Sequence, residues 1–353
     1  MTNDTTLLVA TVRNEGPNIL EWVAHHRLCG FDRIQIFHND SNDNTLRSLR
    51  VLKRLGVIEL FINRDLEAGS HHRRSYRRAS RSTAYAQSDW CMTLDCDEFL
   101  HVKVGEGRVQ DLIQACPEAD AILVNSRTFG SNGHQDLSGE LVTERFTRAE
   151  PSVDIAKGRK SPVKALARTS AFGRPGINMP RDPKKDEPVY CNGSGLSSEA
   201  FEQKNWRSDD PEGRKLAQVN RYALRDVSSF LLKHLTHAEN GRETGLEYWR
   251  KHNRNEETDL SLAAQAFRLW SEMKKLDEMS EGKLLRIRQN AIRRSREALA
   301  TSDVEPLRSI ILEDATPPLS KPFKLPNPQP IFASVRTEND DAPPVVLKST
   351  ATG

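Results

Sequence analysis

Long apolar runs are missing from this 353-residue chain. No stretch reaches the roughly 18 apolar residues that a membrane-spanning helix needs, and the first residues lack the apolar core of a signal peptide. The cysteines are odd in number, five, and none forms a Cys-x-x-Cys pair. That pattern argues against a zinc site and for reduced thiols, so we expect a cytoplasmic protein.

Excess charge and aromatic residues are also scarce. The net charge is +3 and aromatic residues make up 6% of the chain. Nucleic-acid binders typically carry a strong basic excess, and single-strand binders also carry stacking aromatics, so we expect no nucleic-acid partner. The apolar fraction of 37% and the charged fraction of 29% are typical of a globular protein with a sizeable core.

The first hundred residues alternate strand and helix patterns. Apolar runs predict strands, each followed by a helix that ends at a glycine or by a polar cluster. This alternation predicts an α/β fold with a mostly parallel sheet. The expected strands cover residues 6–12, 31–37, 57–62 and 90–94, and the expected helices cover 18–29, 45–55 and 73–87. His25 and His26 are interpreted as part of a helix surface.

Three carboxylates directly follow the fourth expected strand: Asp95, Asp97 and Glu98. Open α/β sheets bind ligands beyond the carboxyl ends of their strands. In extended chain Asp95 and Asp97 point to the same side, whereas Cys96 points to the other. Two hard oxygen ligands suit Mn²⁺ or Mg²⁺, which bind one or two carboxylates together with substrate phosphates. We therefore predict a metal site at Asp95 and Asp97.

The pattern changes after residue 125. A strand at 121–125, a glycine-rich loop and a further strand at 141–146 are expected, then short strands to 215 and helices from 227 onward. We expect one main domain over residues 1–240, divided near 125 into a nucleotide-binding and an acceptor half. A helical region over 241–316 and a disordered, proline-rich tail over 317–353 would follow.

The ordered series of motifs resembles a glycosyltransferase of the GT-A fold, similar to family 2. More specifically, it resembles the bacterial branch related to glycosyltransferase family 92, whose members carry an Asp-x-Asp-Glu-Phe motif. The resemblance covers about residues 6–245 and rests on Val-Ala-Thr-Val-Arg-Asn-Glu (9–15), Asn-Asp-Ser-Asn-Asp-Asn-Thr (39–45), Asp-Cys-Asp-Glu-Phe (95–99), Thr-Phe-Gly-Ser-Asn-Gly-His (128–134), Glu-Arg-Phe (144–146), Val-Lys-Ala-Leu-Ala-Arg (163–168) and Asn-Arg-Tyr-Ala-Leu-Arg (220–225).

The resemblance implies a donor site for a nucleotide-diphospho-sugar, a UDP-sugar above all. Thr11 and Asn39 match positions that hold the uracil and ribose. Asp95 and Asp97 match the motif that binds the metal and the diphosphate. Residues expected to complete the donor site are Arg13, Glu15, Asp40 and Arg221.

Two departures from the family pattern concern the metal. Asn220-Arg221-Tyr222 stands where related sequences commonly have Asn-His-Tyr, and Asn178-Met179-Pro180 stands where they often have His-Arg-Pro. A histidine at the first place could have been a further metal ligand. Arg221 would instead contribute a permanent charge whose geometry suits phosphate.

The expected reaction is transfer of a hexosyl group to a hydroxyl of a glycan or lipid-linked acceptor, in bacterial cell-surface polysaccharide synthesis. An inverting enzyme needs a general base near that hydroxyl. His134, Asp136 and Glu144 are the candidates, and a retaining mechanism would remove the need for any of them.

Other functions and a membrane contact are compatible with parts of the sequence. A non-catalytic glycan- or nucleotide-binding protein and a sugar nucleotidyltransferase are the alternatives. Arg13-Asn14-Glu15-Gly16 counts against the latter, because its glycine-rich fingerprint should follow the first strand. An apolar stripe with interleaved arginines over 284–292 is compatible with peripheral association with the inner face of the membrane, and also with packing against the core.

Overall fold

The computed structural model describes residues 4–63, 71–152, 161–197, 207–208, 213–238 and 245–314. The strands are β1 (Thr6–Val12), β2 (Arg33–Asn39), β3 (Glu59–Asn63), β4 (Trp90–Thr93), β5 (Glu98–Val102), β6 (Ala121–Thr128), β7 (Arg148–Ala149), β8 (Ser161–Arg168), β9 (Phe172–Arg174), β10 (Arg181–Pro183), β11 (Tyr190–Asn192), β12 (Arg207–Ser208), β13 (Ala217–Arg221) and β14 (Glu257–Thr258).

Helices alternate with strands along the first 128 residues and predominate after residue 227. They are α1 (Ile19–Leu28), α2 (Thr45–Arg54), α3 (His71–Ala79), α4 (Thr83–Ala86), α5 (Val109–Ala115), α6 (Val142–Arg145), α7 (Val227–Ala238), α8 (Leu246–His252), α9 (Ala266–Met279), α10 (Lys283–Ala300) and α11 (Glu305–Asp314). A short 3₁₀ turn, Ala263–Gln265, precedes α9.

Among the described residues, ten strands form one sheet with the order β3-β2-β1-β4-β8-β6-β13-β5, to which β11 and β12 add at β6 and β8. β1, β2, β3 and β4 run parallel. β8 runs antiparallel to β4 and β6, and β5 runs antiparallel to β13. This architecture confirms the expected α/β class with a mostly parallel sheet, and it brings the ends of β1, β2 and β4 to one edge.

The C-terminal helices share the core of the sheet. Leu269, Met273 and Leu276 of α9 and Leu284 of α10 belong to the same buried cluster as Leu20 and Val23 of α1. The apolar stripe of α10 therefore packs inward: Leu284, Ala291 and Ile292 are buried. None of the helices that the structure describes is long and apolar enough to span a membrane. The tail expected to be disordered lies outside the described residues.

Two local expectations were wrong. Residues 141–146 do not form a strand, because the Glu21 carboxylate accepts hydrogen bonds from the backbone N–H groups of Val142 (2.8 Å) and Thr143 (3.0 Å) and thereby caps α6. His25 and His26 do not lie on a surface. Both are buried, and His25 Nε2 donates to the carbonyl oxygen of Leu100 at 2.7 Å.

Candidate active site at an acidic turn

A cleft of about 1120 Å³ opens at the edge where β1, β2 and β4 end. Parallel pairing aligns these ends, with Thr11 of β1 beside Phe37 of β2 and Val9 of β1 beside Thr93 of β4. The loops that leave the strands form one wall of the cleft, and residues of α7, α8 and α10 form the facing wall. This is the position in which open α/β sheets bind their ligands.

The turn from Asp95 to Glu98 links β4 to β5 and is held through its backbone. Trp22 Nε1 of α1 donates to the carbonyl oxygens of Asp95 (3.0 Å) and Glu98 (2.9 Å). The Tyr222 N–H donates to the Asp97 carbonyl at 2.7 Å, and Arg225 donates to the Cys96 carbonyl at 3.2 Å. The side chains of the two aspartates are therefore displayed from a fixed loop.

Lys164 of β8 neutralises one side of this turn. Its ammonium lies 2.8 Å from the Glu98 carboxylate and 3.2 Å from that of Asp95. His72 Nε2 approaches the other Asp95 oxygen at 3.2 Å. Burial alone would raise the pKa of Asp95, but Lys164 and His72 outweigh that effect and hold the pKa below its usual range. Asp95 is therefore held in the ionised form, which is the form that a cation binds.

Asp97 lies next to a second group of cations. Lys233 Nζ of α7 lies 3.2 Å from an Asp97 carboxylate oxygen. Burial would raise the pKa of Asp97, but the charges of Lys233 and Arg221 outweigh it and lower the pKa. Within the described residues, Arg221 Nε is buried without a hydrogen-bond partner. A buried donor of this kind is costly unless a ligand satisfies it.

The donor set fits a hard divalent cation. Asp95, Asp97 and Glu98 each offer an oxygen within 4.8 Å of the other two. The carboxylates at the site are matched in charge by cationic side chains: Glu15, Asp95, Asp97 and Glu98 against Lys164, Arg221, Arg225 and Lys233. A divalent cation and a doubly negative diphosphate could enter together without unbalancing this arrangement.

Most of the residues expected to form the donor site line the cleft. Thr11, Arg13, Glu15 and Asn39 line the cleft together with Asp95, Asp97 and Arg221, whereas Asp40 is exposed and is not part of the lining. The loops after β1 and β2 are locked together, because the Gly16 N–H donates to Asp43 at 2.8 Å and the Glu15 N–H donates to Thr45 at 2.8 Å.

The three predicted bases do not line the cleft. His134 Nε2 lies 3.3 Å from the carbonyl oxygen of Arg145, and its ring contacts Phe146. Asp136 is exposed and accepts a hydrogen bond from Arg308 at 3.1 Å. Glu144 is partly buried and hydrogen-bonded to Trp270. The identity of the base therefore stays a prediction, and the geometry of the cleft does not support it.

Sequence reasoning missed several groups at the site. Lys164 belongs to the Val-Lys-Ala-Leu-Ala-Arg motif (163–168), whereas Lys233 and Tyr248 lie outside every motif that carries the resemblance, although both line the cleft. Arg225 forms an ion pair with Glu15 at 2.9 Å and so connects the motif at 220–225 with the motif at 9–15. The signal that could have revealed the lysines is their charge in otherwise apolar segments, since a buried lysine needs an acidic partner.

A family model decides the classification of this chain. The model of glycosyltransferase family 92 matches residues 10–196, which is more than half of the sequence. The chain belongs to glycosyltransferase family 92. This assignment confirms the resemblance drawn from the motifs, and the α/β sheet agrees with the expected fold class.

Solved structures similar to this family 92 chain are remote in sequence. TarS of S. aureus, residues 1–349, matches at 13% identity with a TM-score of 0.30, over 81% of this chain and 90% of that one. The mannosyltransferase PcManGT from Pyrobaculum calidifontis, in complex with GDP-Man and Mn²⁺, matches at 12% identity with a TM-score of 0.30, over 89% of this chain and 80% of that one.

The match to another structure of S. aureus TarS, at 16% identity and a TM-score of 0.28, covers 47% of this chain but only 29% of that chain. No curated protein sequence matches the chain.

Proposed function

We propose that this chain transfers a hexosyl group from a nucleotide-diphospho-sugar, in the first place a UDP-sugar, to a hydroxyl of a glycan or lipid-linked acceptor. The observation that carries the proposal is the pairing of Asp95 and Asp97 with cationic side chains at the carboxyl edge of the sheet. An anionic ligand and a cation together would suit that mixed arrangement better than either alone.

The chemistry of donor cleavage explains why such groups meet here. The bond between the sugar and the diphosphate breaks with negative charge accumulating on the leaving oxygen. Arg221 and Lys233 are placed to stabilise that charge, since fixed cations in a partly desolvated site need no reorganisation during the reaction. Bound Mn²⁺ or Mg²⁺, held by Asp95 and Asp97, would add Lewis-acid stabilisation of the same diphosphate.

The nucleoside would lie over the ends of β1 and β2. Thr11 is 7% exposed and Asn39 is 9% exposed, and both belong to the lining, so each shows only its tip to the cleft. Asn39 is oriented by Asn63, whose amide donates to its oxygen at 2.9 Å. A preoriented amide is suited to reading the polar edge of a base or a ribose hydroxyl.

We assign the acceptor to the opposite wall, which extends beyond the segment matched by the family model. Tyr248 of α8 and Arg294 and Glu297 of α10 line the cleft there. The residues proposed to contact the acceptor thus belong to the helical C-terminal region over 241–316, and the division of residues 1–240 near 125 into a nucleotide-binding and an acceptor half stays a prediction. The acceptor pathway would be synthesis of a cell-surface polysaccharide, carried out in the cytoplasm at the inner face of the membrane.

The experiment that tests this proposal measures the leaving group. Purified protein would be incubated with Mn²⁺, a polysaccharide or lipid-linked acceptor mixture and one of several UDP-, GDP- and dTDP-sugars, and the released nucleoside diphosphate would be quantified. We expect release from one donor class, abolished in Asp97→Asn and retained in Asp186→Asn, an exposed aspartate outside the cleft. Binding of the donors without release in any mixture would favour a non-catalytic protein instead.

A further inference from the structure

The ammonium of Lys233 contacts Asp97, one of the two proposed metal ligands. This ammonium has three donors, and each has a partner: Asp97 at 3.2 Å, the Ala223 carbonyl at 3.1 Å and the Tyr248 hydroxyl at 3.4 Å. The side chain is 29% exposed and that of Asp97 is 14% exposed. The pair is therefore partly desolvated and open to the cleft.

Asp97 would thus have two competing cationic partners, Lys233 and the proposed divalent ion. A divalent ion bound by Asp95 and Asp97 would compete with Lys233 for the Asp97 carboxylate, because two positive charges a few ångströms apart repel each other. A diphosphate would bind together with this ion. Its oxygens can accept the hydrogen bond that Lys233 would no longer donate to Asp97.

We propose that Lys233 is an exchangeable counter-ion, bonded to Asp97 in the free protein and to the donor diphosphate once a divalent cation takes Asp97. The inference rests on the proposed function and adds a role for a residue outside the predicted motifs. The Ala223 carbonyl and the Tyr248 hydroxyl hold the ammonium throughout, so one hydrogen bond of the three changes its partner.

This exchange couples the two ligands. The cation releases Lys233 for the diphosphate, and the diphosphate draws Lys233 away from Asp97, so each ligand raises the affinity for the other. Without nucleotide, Lys233 protects Asp97 and weakens binding of the cation. A lysine that only stabilised the fold would not act on the two ligands in opposite directions.

The test compares wild type with Lys233→Met, Lys233→Arg and Lys251→Met, the last replacing an exposed lysine of α8 as the control. Binding of Mn²⁺ without nucleotide is measured by electron paramagnetic resonance, and binding of UDP at saturating Mn²⁺ by calorimetry. In Lys233→Met we expect Mn²⁺ alone to bind roughly tenfold more tightly and UDP roughly tenfold more weakly. Lys233→Arg should remain nearer to wild type in both, and Lys251→Met should match it.

Tighter binding of Mn²⁺ together with weaker binding of UDP cannot come from partial unfolding, because partial unfolding would weaken the binding of both ligands. The inference is overturned if wild type binds UDP with Mn²⁺ and Lys233→Met weakens the binding of both ligands, strengthens the binding of both or changes neither. The proposed donor site would still stand in that case. If wild type binds neither UDP, GDP nor dTDP, the proposed function and this inference fail together.

Discussion

The ammonium of Lys164 lies 2.8 Å from the carboxylate of Glu98, and each side chain is only 4% exposed. Glu98 in turn accepts a hydrogen bond from the Asp95 N–H at 2.9 Å. The buried pair therefore fixes the backbone from which Asp95 and Asp97 extend. Its role is to shape the acidic turn from which the two aspartates extend into the cleft.

Removing Lys164 should be costly because it leaves the buried carboxylate of Glu98 without the ammonium that pairs with it. We expect Lys164→Met to lower the free energy of unfolding by about 3–5 kcal/mol. The double variant Lys164→Met/Glu98→Gln should recover part of that loss. Lys274→Met, which breaks an exposed pair with Glu278, should cost less than about 1 kcal/mol. Urea denaturation measures all three, and a Lys164→Met protein as stable as wild type would refute the assignment.

Arg221 should act on the diphosphate and not on the nucleoside. We expect Arg221→Met to weaken UDP binding roughly tenfold or more, because one charge-assisted contact to phosphate is lost, and to leave uridine binding unchanged. Arg221→Lys should lose part of the affinity, since lysine lacks the planar fork. Calorimetry with both ligands distinguishes these cases, with Arg54→Met, an exposed arginine of α2, as the control. Equal losses for UDP and uridine would place Arg221 elsewhere.

Gly16 allows the loops after β1 and β2 to touch. A Cβ at this position would clash with the backbone carbonyl oxygen of Asp43, so the loops would have to separate. We expect Gly16→Ala to cost about 1–3 kcal/mol of stability and to weaken UDP binding. Gly245→Ala meets open space and should change stability by less than about 0.5 kcal/mol. Identical melting curves for the two variants would contradict this account of the loop contact.

Stability should decline in mild acid because His25 is buried in its neutral form. Burial lowers the pKa of His25 from 6.5 to about 4, so the unfolded chain binds the proton more readily between these values. The stabilisation is complete above pH 6.5 and is lost as the pH falls towards 4. The slope is about 1.4 kcal/mol per pH unit for each such group. His25→Gln, which keeps a donor for Leu100, should show a shallower slope between pH 6.5 and 4.5, and an unchanged slope would count against His25.

The sequence predicted features that depend on neighbouring residues, and it did not predict contacts between residues far apart in the chain. The apolar run of β1 and the carboxylates after β4 are local patterns, and the structure confirms the strand at Thr6–Val12. Lys164 and Lys233 meet Asp95 and Asp97 across 69 and 136 positions, so no local pattern could pair them. α6 was mistaken for a strand because its cap, Glu21, comes from another helix.

The burial of His25 and His26 shows the same limit. Two adjacent polar rings in a helix resemble a solvated face, but here β5 and Phe99 cover them. Their backbone hydrogen bonds, to Leu100 and Trp22, offset the cost of burying two imidazoles.

The most direct test of the account is calorimetric titration of UDP into wild type and Asp97→Asn, with Mn²⁺ and again with EDTA. The donor-site proposal predicts binding to wild type with Mn²⁺ that weakens at least tenfold, roughly, when either the metal or the Asp97 charge is removed. Equal affinity under all conditions would contradict the role of Asp97 and the metal. Failure of wild type to bind UDP, GDP or dTDP would contradict the donor site itself.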